Sequence, residues 1–331
     1  TEYKPADVEE IEITGLQSKE LDPGDELTIL TWNVGFGALG DNADFFMDGG
    51  KMVKTASRSR VKSNVSSIIG RLQSEDTDVI FLQEVDVHSA RSYRINMVEE
   101  ATNKLAGGGY ENTFAYNFKV NFLPYPVPPM GEIKSGISTW SKYDIESSER
   151  IKLPCPFKWP TRAGNLKRCL MVDRLPVDGT DKELVLVNLH LEAYDSGEGK
   201  AAQTEMLKNL LEEEIQKGNY VIAGGDFNQT FSNADIRKYP VLEGKWEAGK
   251  IDINEFDSSL QFIMPTETPS CRSLDQPLAD ADSRDPKVFQ YYVIDGFIVS
   301  DNLEVESCEV RDLGFVNSDH NPVVMKVRLK K

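Results

Sequence analysis

Apolar runs of strand length recur along the chain, at 27–32, 79–82, 184–189, 220–223, 291–299 and 323–329. Each is rich in β-branched or aromatic residues, which fit a pleated, half-buried surface. Between some of them the period changes to that of a helix. Val61, Val65, Ile68, Ile69 and Leu72 fall on one face, as do Met206, Leu207, Leu210, Leu211 and Ile215, with Gly218 placed to cap the second helix. The segments 136–141 and 184–189 have no convincing helix between them, so a purely parallel doubly wound sheet fits poorly. Mixed sheets packed together and covered by helices fit better. No repeat or composition shift marks a boundary after residue 26, which predicts residues 1–26 as an extension or linker and 27–331 as one domain.

Two irregular stretches interrupt the pattern. Residues 35–57 are Gly-rich and carry Phe36, Phe45, Phe46 and Met47, while 121–131 hold Pro124, Pro126, Pro128 and Pro129 with Phe122 and Tyr125. Loops of this length are binding loops or surface insertions, and the pattern leaves both open. Asp41, Asn42 and Asp44 lack the spacing and closing Glu of an EF-hand.

Composition narrows the function. With 331 residues, 40% hydrophobic and 27% charged, the chain reads as globular, and its net charge of -17 argues against gripping a long polyanion by charge alone. Extended nucleic-acid binding is therefore disfavoured, although a bound cation can reverse the field within one pocket. Cys155, Cys169, Cys271 and Cys308 show no CxxC spacing and read as free thiols rather than a structural zinc site. No apolar run is long enough to span a bilayer. The start at Thr1 followed by the acidic, polar residues 2–25 reads as a processed or truncated terminus. That favours an exported or membrane-tethered parent over a cytoplasmic one, with membrane attachment only through a segment ahead of Thr1. A monomer is expected.

The chemistry lies where strands end. Thr31-Trp32-Asn33 closes the first run, Gln83-Glu84 the second, Asn188-Leu189-His190 a third and Asp226-Phe227-Asn228 a fourth, while Asp295 sits inside 291–299. Each residue alone has a commoner role in a turn, at the surface or in the core. Their recurrence at strand ends, where a rigid sheet presents side chains to a shared cleft, points to one site. Asp319-His320-Asn321-Pro322 can be read as a turn, because Pro322 biases its predecessor away from the α region, or as an acid beside one of only three histidines. Carboxylate and amide oxygens without a thiolate suit Mg2+ or Mn2+ and metal-assisted phosphoester hydrolysis. GxSxG, P-loop and HExxH motifs are absent.

The ordered series Thr31-Trp32-Asn33, Leu82-Gln83-Glu84-Val85, Asn188-Leu189-His190-Leu191-Glu192, Gly225-Asp226-Phe227-Asn228, Ile294-Asp295 and Ser318-Asp319-His320 resembles the endonuclease/exonuclease/phosphatase superfamily. The resemblance implies a four-layer α/β/β/α sandwich with the site at one end of two sheets. It implies that Glu84 is the principal Mg2+ ligand, supported by Asn33, and that Asp319 assists the metal or the water. By the same resemblance Asp226 activates the water, Asn228 holds a phosphoryl oxygen, His190 contacts the scissile phosphate, and His320 stabilises the transition state with Asp295 orienting it. Asn188 is expected on the substrate side. Arg168 is weighed as a cation for phosphate against the commoner role of a surface arginine. Val293-Ile294-Asp295-Gly296 departs from the Trp-Cys-Asp-Arg of the 5-phosphatase branch, while Asn-Leu-His-Leu-Glu is similar to the sphingomyelinase and tyrosyl-DNA phosphodiesterase branches. The expected activity is Mg2+-dependent hydrolysis of a small or lipid-derived phosphoester; the alternatives are a DNA nuclease and a non-catalytic module that keeps the fold.

Overall fold

A computed structural model describes residues 2–15, 19–195 and 197–331. In chain order the strands are β1 (Val8–Glu10), β2 (Glu26–Asn33), β3 (Val79–Asp86), β4 (Glu111–Leu123), β5 (Gly131–Ser141), β6 (Ser147–Lys152), β7 (Cys169–Pro176), β8 (Glu183–His190) and β9 (Tyr220–Asp226). They continue as β10 (Gln229–Phe231), β11 (Gly249–Ile251), β12 (Leu260–Ile263), β13 (Cys271–Arg272), β14 (Tyr291–Tyr292), β15 (Asp295–Ser300), β16 (Leu303–Val310) and β17 (Val323–Leu329). The α-helices are α1 (Arg58–Glu75), α2 (Met97–Leu105) and α3 (Glu198–Gln216).

Two mixed sheets form the centre. One has the order β1-β6-β7-β8-β9-β15-β12 and the other β16-β17-β2-β3-β5-β4. The period of two along each strand decides what lies between them. In β2, Leu27 and Ile29 point into the space shared by the sheets, where they meet Leu184, Leu186, Ile222 and Phe297, while Leu30 and Trp32 point outward to Val61, Val65, Ile68 and Leu72 of α1. Leu207 and Leu211 of α3 cover Val185, Val187 and Val221 on the far face of the other sheet. The layers are thus α/β/β/α, as the resemblance implies. Ser57 caps α1 by accepting from the Arg60 amide, and α3 ends just before Gly218, whose φ of 77° suits the left-handed position after a helix. No helix among the described residues is long and apolar enough to cross a membrane.

Three sequence expectations change. The run 291–299 is two strands, β14 pairing with β13 and β15 with β9 and β12, separated at Val293 and Ile294. Residues 121–123 extend β4 and Gly131 opens β5, so 121–131 is the tip of a long hairpin. β3 continues past Gln83-Glu84 to Asp86. In the segment 1–26, β1 pairs with β6, Thr14 bridges Asn112 and Leu21 bridges Val177, so its described parts pack onto the sandwich.

Candidate active site

β2, β3, β8, β9 and β15 bring their polar ends together at one end of the sandwich. Where β3 pairs with β5 the register shifts between Leu82 and Val85, and Glu84 adopts φ 54°. The bulge separates two neighbouring side chains. Gln83 points between the sheets, donating to Thr31 Oγ1 at 3.2 Å and Asn188 Oδ1 at 2.9 Å, while Glu84 turns into the cavity. Asn228 has φ 49°, so both polar residues hold a conformation that costs on the order of 1–3 kcal/mol and persists only where the surroundings impose it.

Asn33 ties the centre together. Its Nδ2 donates to Glu84 Oε1 at 3.1 Å and to Asp226 Oδ2 at 3.0 Å, and its Oδ1 accepts from the Gly35 amide at 3.0 Å. Gly35, with φ 51°, lets the chain pass Asp319: a Cβ there would lie 2.9 Å from Asp319 Oδ1. Asp226 Oδ1 accepts from the Asn228 amide at 2.9 Å. Its Oδ2 lies 3.4 Å from His190 Nε2 and 3.6 Å from His320 Nε2.

Behind His320 runs a second chain of contacts. His320 Nδ1 donates to Asp295 Oδ2 at 2.8 Å, and Ser270 Oγ donates to the same oxygen at 2.7 Å. The amides of Ile294 and Asp295 donate to Ser270 Oγ, each at 3.1 Å. Burial disfavours the His320 imidazolium, but Asp295, then Cys271, Asp226 and Asp319, outweigh it and lift its pKa well above 6.5. His190 goes the other way. Burial, then the charges of Arg168 and His320, push it well below 6.5, and its Nδ1 is buried without a hydrogen-bond partner. The two rings facing Asp226 are therefore one cation and one neutral imidazole.

The carboxylates suit a hard cation. Burial first, then the charge of Asp295, holds Asp226 at about 6. Asp319 is raised to about 7 by burial, with Glu84 and Asp48 adding to the shift. Asp48 itself rises to about 6 from burial and the charge of Glu84, and Glu84 is raised by burial, with Asp226 adding to the shift. These oxygens repel one another in a low-dielectric site, and Mg2+ or Mn2+ would offset that charge. Glu84 and Asp319 would hold it, and Asn33 Nδ2 fixes the Glu84 carboxylate.

One expected substrate contact is corrected. Asn188 is fully buried between the sheets, where its Nδ2 donates to the Leu82 and Ser138 carbonyls at 3.3 and 2.9 Å. It holds the sheets together beneath the site instead of facing substrate. Arg168 does line the cavity, but it is only 3% exposed: its Nε donates to Glu192 Oε2 at 3.2 Å and its Nη1 to the His190 carbonyl at 3.2 Å. It anchors the chain at His190 and raises the local potential. Ser270, Asp48, Arg91, Tyr194, Trp246 and Tyr292 escaped the sequence reading, because nothing in their neighbours distinguishes them before the fold gathers them. The cavity above the polar centre has a volume of about 940 Å³. Residues of 35–57 and the β4–β5 tip wall it, including Phe36, Phe45, Phe46, Phe122 and Tyr125.

Comparison with solved structures places this architecture. It matches the endonuclease/exonuclease/phosphatase from Beutenbergia cavernae DSM 12333 at 18% identity and TM-score 0.62, over 92% of this chain and 72% of that one. The human Nocturnin catalytic domain with bound sulfate matches at 16% identity and TM-score 0.56, over 97% of each chain. Truncated Caenorhabditis elegans TDP2 matches at 14% identity and TM-score 0.55, over 92% of this chain and 98% of that one. At these identities the likeness is one of fold. No curated protein sequence matches the chain. The Endonuclease/Exonuclease/phosphatase family profile matches residues 30–320, a span holding every polar strand end described above, and the chain belongs to that family of phosphoester hydrolases.

Proposed function

We propose that the protein is a Mg2+- or Mn2+-dependent phosphodiesterase or phosphatase acting on a small or lipid-derived phosphoester. The observation that carries this reading is the Asn33-centred array of Glu84, Asp226, His190 and His320 at the floor of an aromatic-walled cavity. Glu84 and Asp319 would hold a divalent cation, which would supply electrophilic assistance to the phosphoryl group. Asp226, oriented by Asn33 and the Asn228 amide, accepts the proton of the attacking water. His320, kept cationic by Asp295, donates from Nε2 to the charge that develops on the phosphoryl oxygens. Asn228 Nδ2 spends one hydrogen on the Leu191 carbonyl at 2.9 Å and has its second for a phosphoryl oxygen. His190, neutral, offers Nε2–H without adding positive charge.

The walls favour an apolar alcohol portion. Phe122, Tyr125 and Val127 on the hairpin tip are 63%, 69% and 92% exposed, and Phe46 packs edge-on to Tyr125 at 6.1 Å between centroids. A long nucleic acid finds little to hold. Besides His320, the cations among the described residues lining the cavity are three arginines, all engaged: Arg91 with Asp86, Arg168 with Glu192 and Arg272 with the Gly40 and Ala43 carbonyls. Initial rates on sphingomyelin, bis-p-nitrophenyl phosphate, plasmid DNA and abasic duplex, each over a Mg2+ and Mn2+ titration, test the reading. Turnover of the first two is expected, and robust DNA cleavage with no turnover of either overturns it.

A further inference from the structure

The proposed hydrolysis makes no use of the Cys271 thiol in the cavity wall. Cys271 is 6% exposed and its backbone forms an antiparallel bridge with His320, which sets the thiol against the imidazole. Donor atoms of Cys271, Asp319 and His320 all lie within 4.8 Å of one another. The ring is already oriented for coordination, since Asp295 occupies Nδ1 at 2.8 Å and Nε2 stands 3.9 Å from Asp319 Oδ2. A carboxylate behind an imidazole that presents its other nitrogen is the usual support of a zinc-bound histidine. Ligands about 2.1 Å from a tetrahedral zinc sit roughly 3.4 Å apart, so small side-chain movements close the set, with a fourth position left for water.

We propose that Cys271, Asp319 and His320 form an inhibitory site for a soft divalent cation, zinc foremost. Binding forms the metal–sulfur, metal–nitrogen and metal–oxygen bonds; the thiol proton and the Nε2 proton of His320 leave to solvent, and nothing is oxidised or reduced. Thiolate selects zinc over magnesium and manganese, which prefer oxygen, so the two classes of metal separate by donor type inside one cavity. Zinc inhibits because it removes Asp319 and His320 from the reaction. This consequence rests on the phosphoesterase reading, whereas the binding does not.

The test compares wild type, Cys271→Ser and Cys271→Ala, with folding checked by circular dichroism. Titration with Co2+ as an optical substitute for zinc is expected to give a sulfur-to-cobalt charge-transfer band in wild type that both variants lose, although each still holds Cys155, Cys169 and Cys308. Supporting groups alone are worth about 10–100-fold in metal affinity, so losing the thiolate itself is expected to raise the Zn2+ concentration for half-inhibition at saturating Mg2+ by at least about tenfold. No band in wild type, a band that survives in Cys271→Ser, or equal zinc inhibition in all three proteins overturns the proposal. A band lost with Cys271 in a preparation that hydrolyses no phosphoester upholds the cation site and removes the phosphoesterase reading.

Discussion

His190 and His320 carry the same ring into opposite charge states, and the cause is what stands behind each. Asp295 backs His320, while Arg168 bonds the carbonyl of His190 and repels its cationic form. The residues on either side of these histidines in sequence reveal none of this. Asp226→Asn is expected to lower kcat by about 10²–10⁴-fold, the usual worth of a positioned general base. His320→Ala is expected to cost about 10²–10³-fold, as for an oxyanion donor; wild-type rates from both variants on the substrate panel would remove these roles. Asp295→Asn separates positioning from chemistry. The wild-type pKa of His320 lies well above 6.5, so activity that needs the imidazolium falls only as pH rises through that raised value. Loss of the Asp295 charge lowers the pKa, so the alkaline limb of the kcat profile is expected to move to lower pH. An unmoved limb refutes the assignment.

At the scale of elements, periodicity was legible because strand and helix faces bury side chains at periods of two and 3.6. Helix α1 and the runs behind β2, β8, β9 and β17 were read that way. The bulge in β3 was not, because Gln83 and Glu84 look like any polar pair until β5 sets the register. Asn188 was misread for the same reason: a buried amide between sheets and an amide facing substrate have identical neighbours in sequence. Asn188→Leu removes one of the two acceptors of Gln83 Nε2 and the donor to the Leu82 and Ser138 carbonyls. It is therefore expected to destabilise by about 1–3 kcal/mol for each group left unsatisfied, read as a lower Tm. A wild-type Tm would mean that the bridge contributes nothing. The hairpin tip makes a separate prediction. Phe122→Ala with Tyr125→Ala is expected to spare the bis-p-nitrophenyl phosphate rate and to reduce lipid-phosphoester turnover by at least about tenfold, each apolar side chain withdrawn from water being worth about 1.5–3 kcal/mol. Equal losses on both substrates would deny the tip a role in recognising the alcohol portion.

Over the whole molecule, the buried carboxylates couple stability to pH and metal. Asp226 and Asp319 rise to about 6 and about 7, above the unfolded value of about 4, so from pH ~4 to ~7 the folded state binds the more protons. Their contribution to stability therefore falls as pH rises through that window. Mg2+ at a hundredfold excess over Kd is expected to add about 2.7 kcal/mol, or roughly 4 °C in Tm, at pH 7.5. At pH 5, where protons compete for the same oxygens, the shift is expected to be much smaller, and equal shifts at both values would place the metal elsewhere. The sequence by itself determined the mixed sheets covered by helices, the polar strand ends and the family, because apolar periodicity and short ordered motifs are local properties of the chain. The tertiary structure alone decided that Asn33 bridges Glu84 to Asp226, that Asn188 lies between the sheets while Arg168 lines the cavity, that Cys271 stands beside His320, and which histidine is charged. Those outcomes depend on distances between residues as much as 288 positions apart, as in the bond from Trp32 Nε1 to the His320 carbonyl, and on burial that exists only once both sheets have closed.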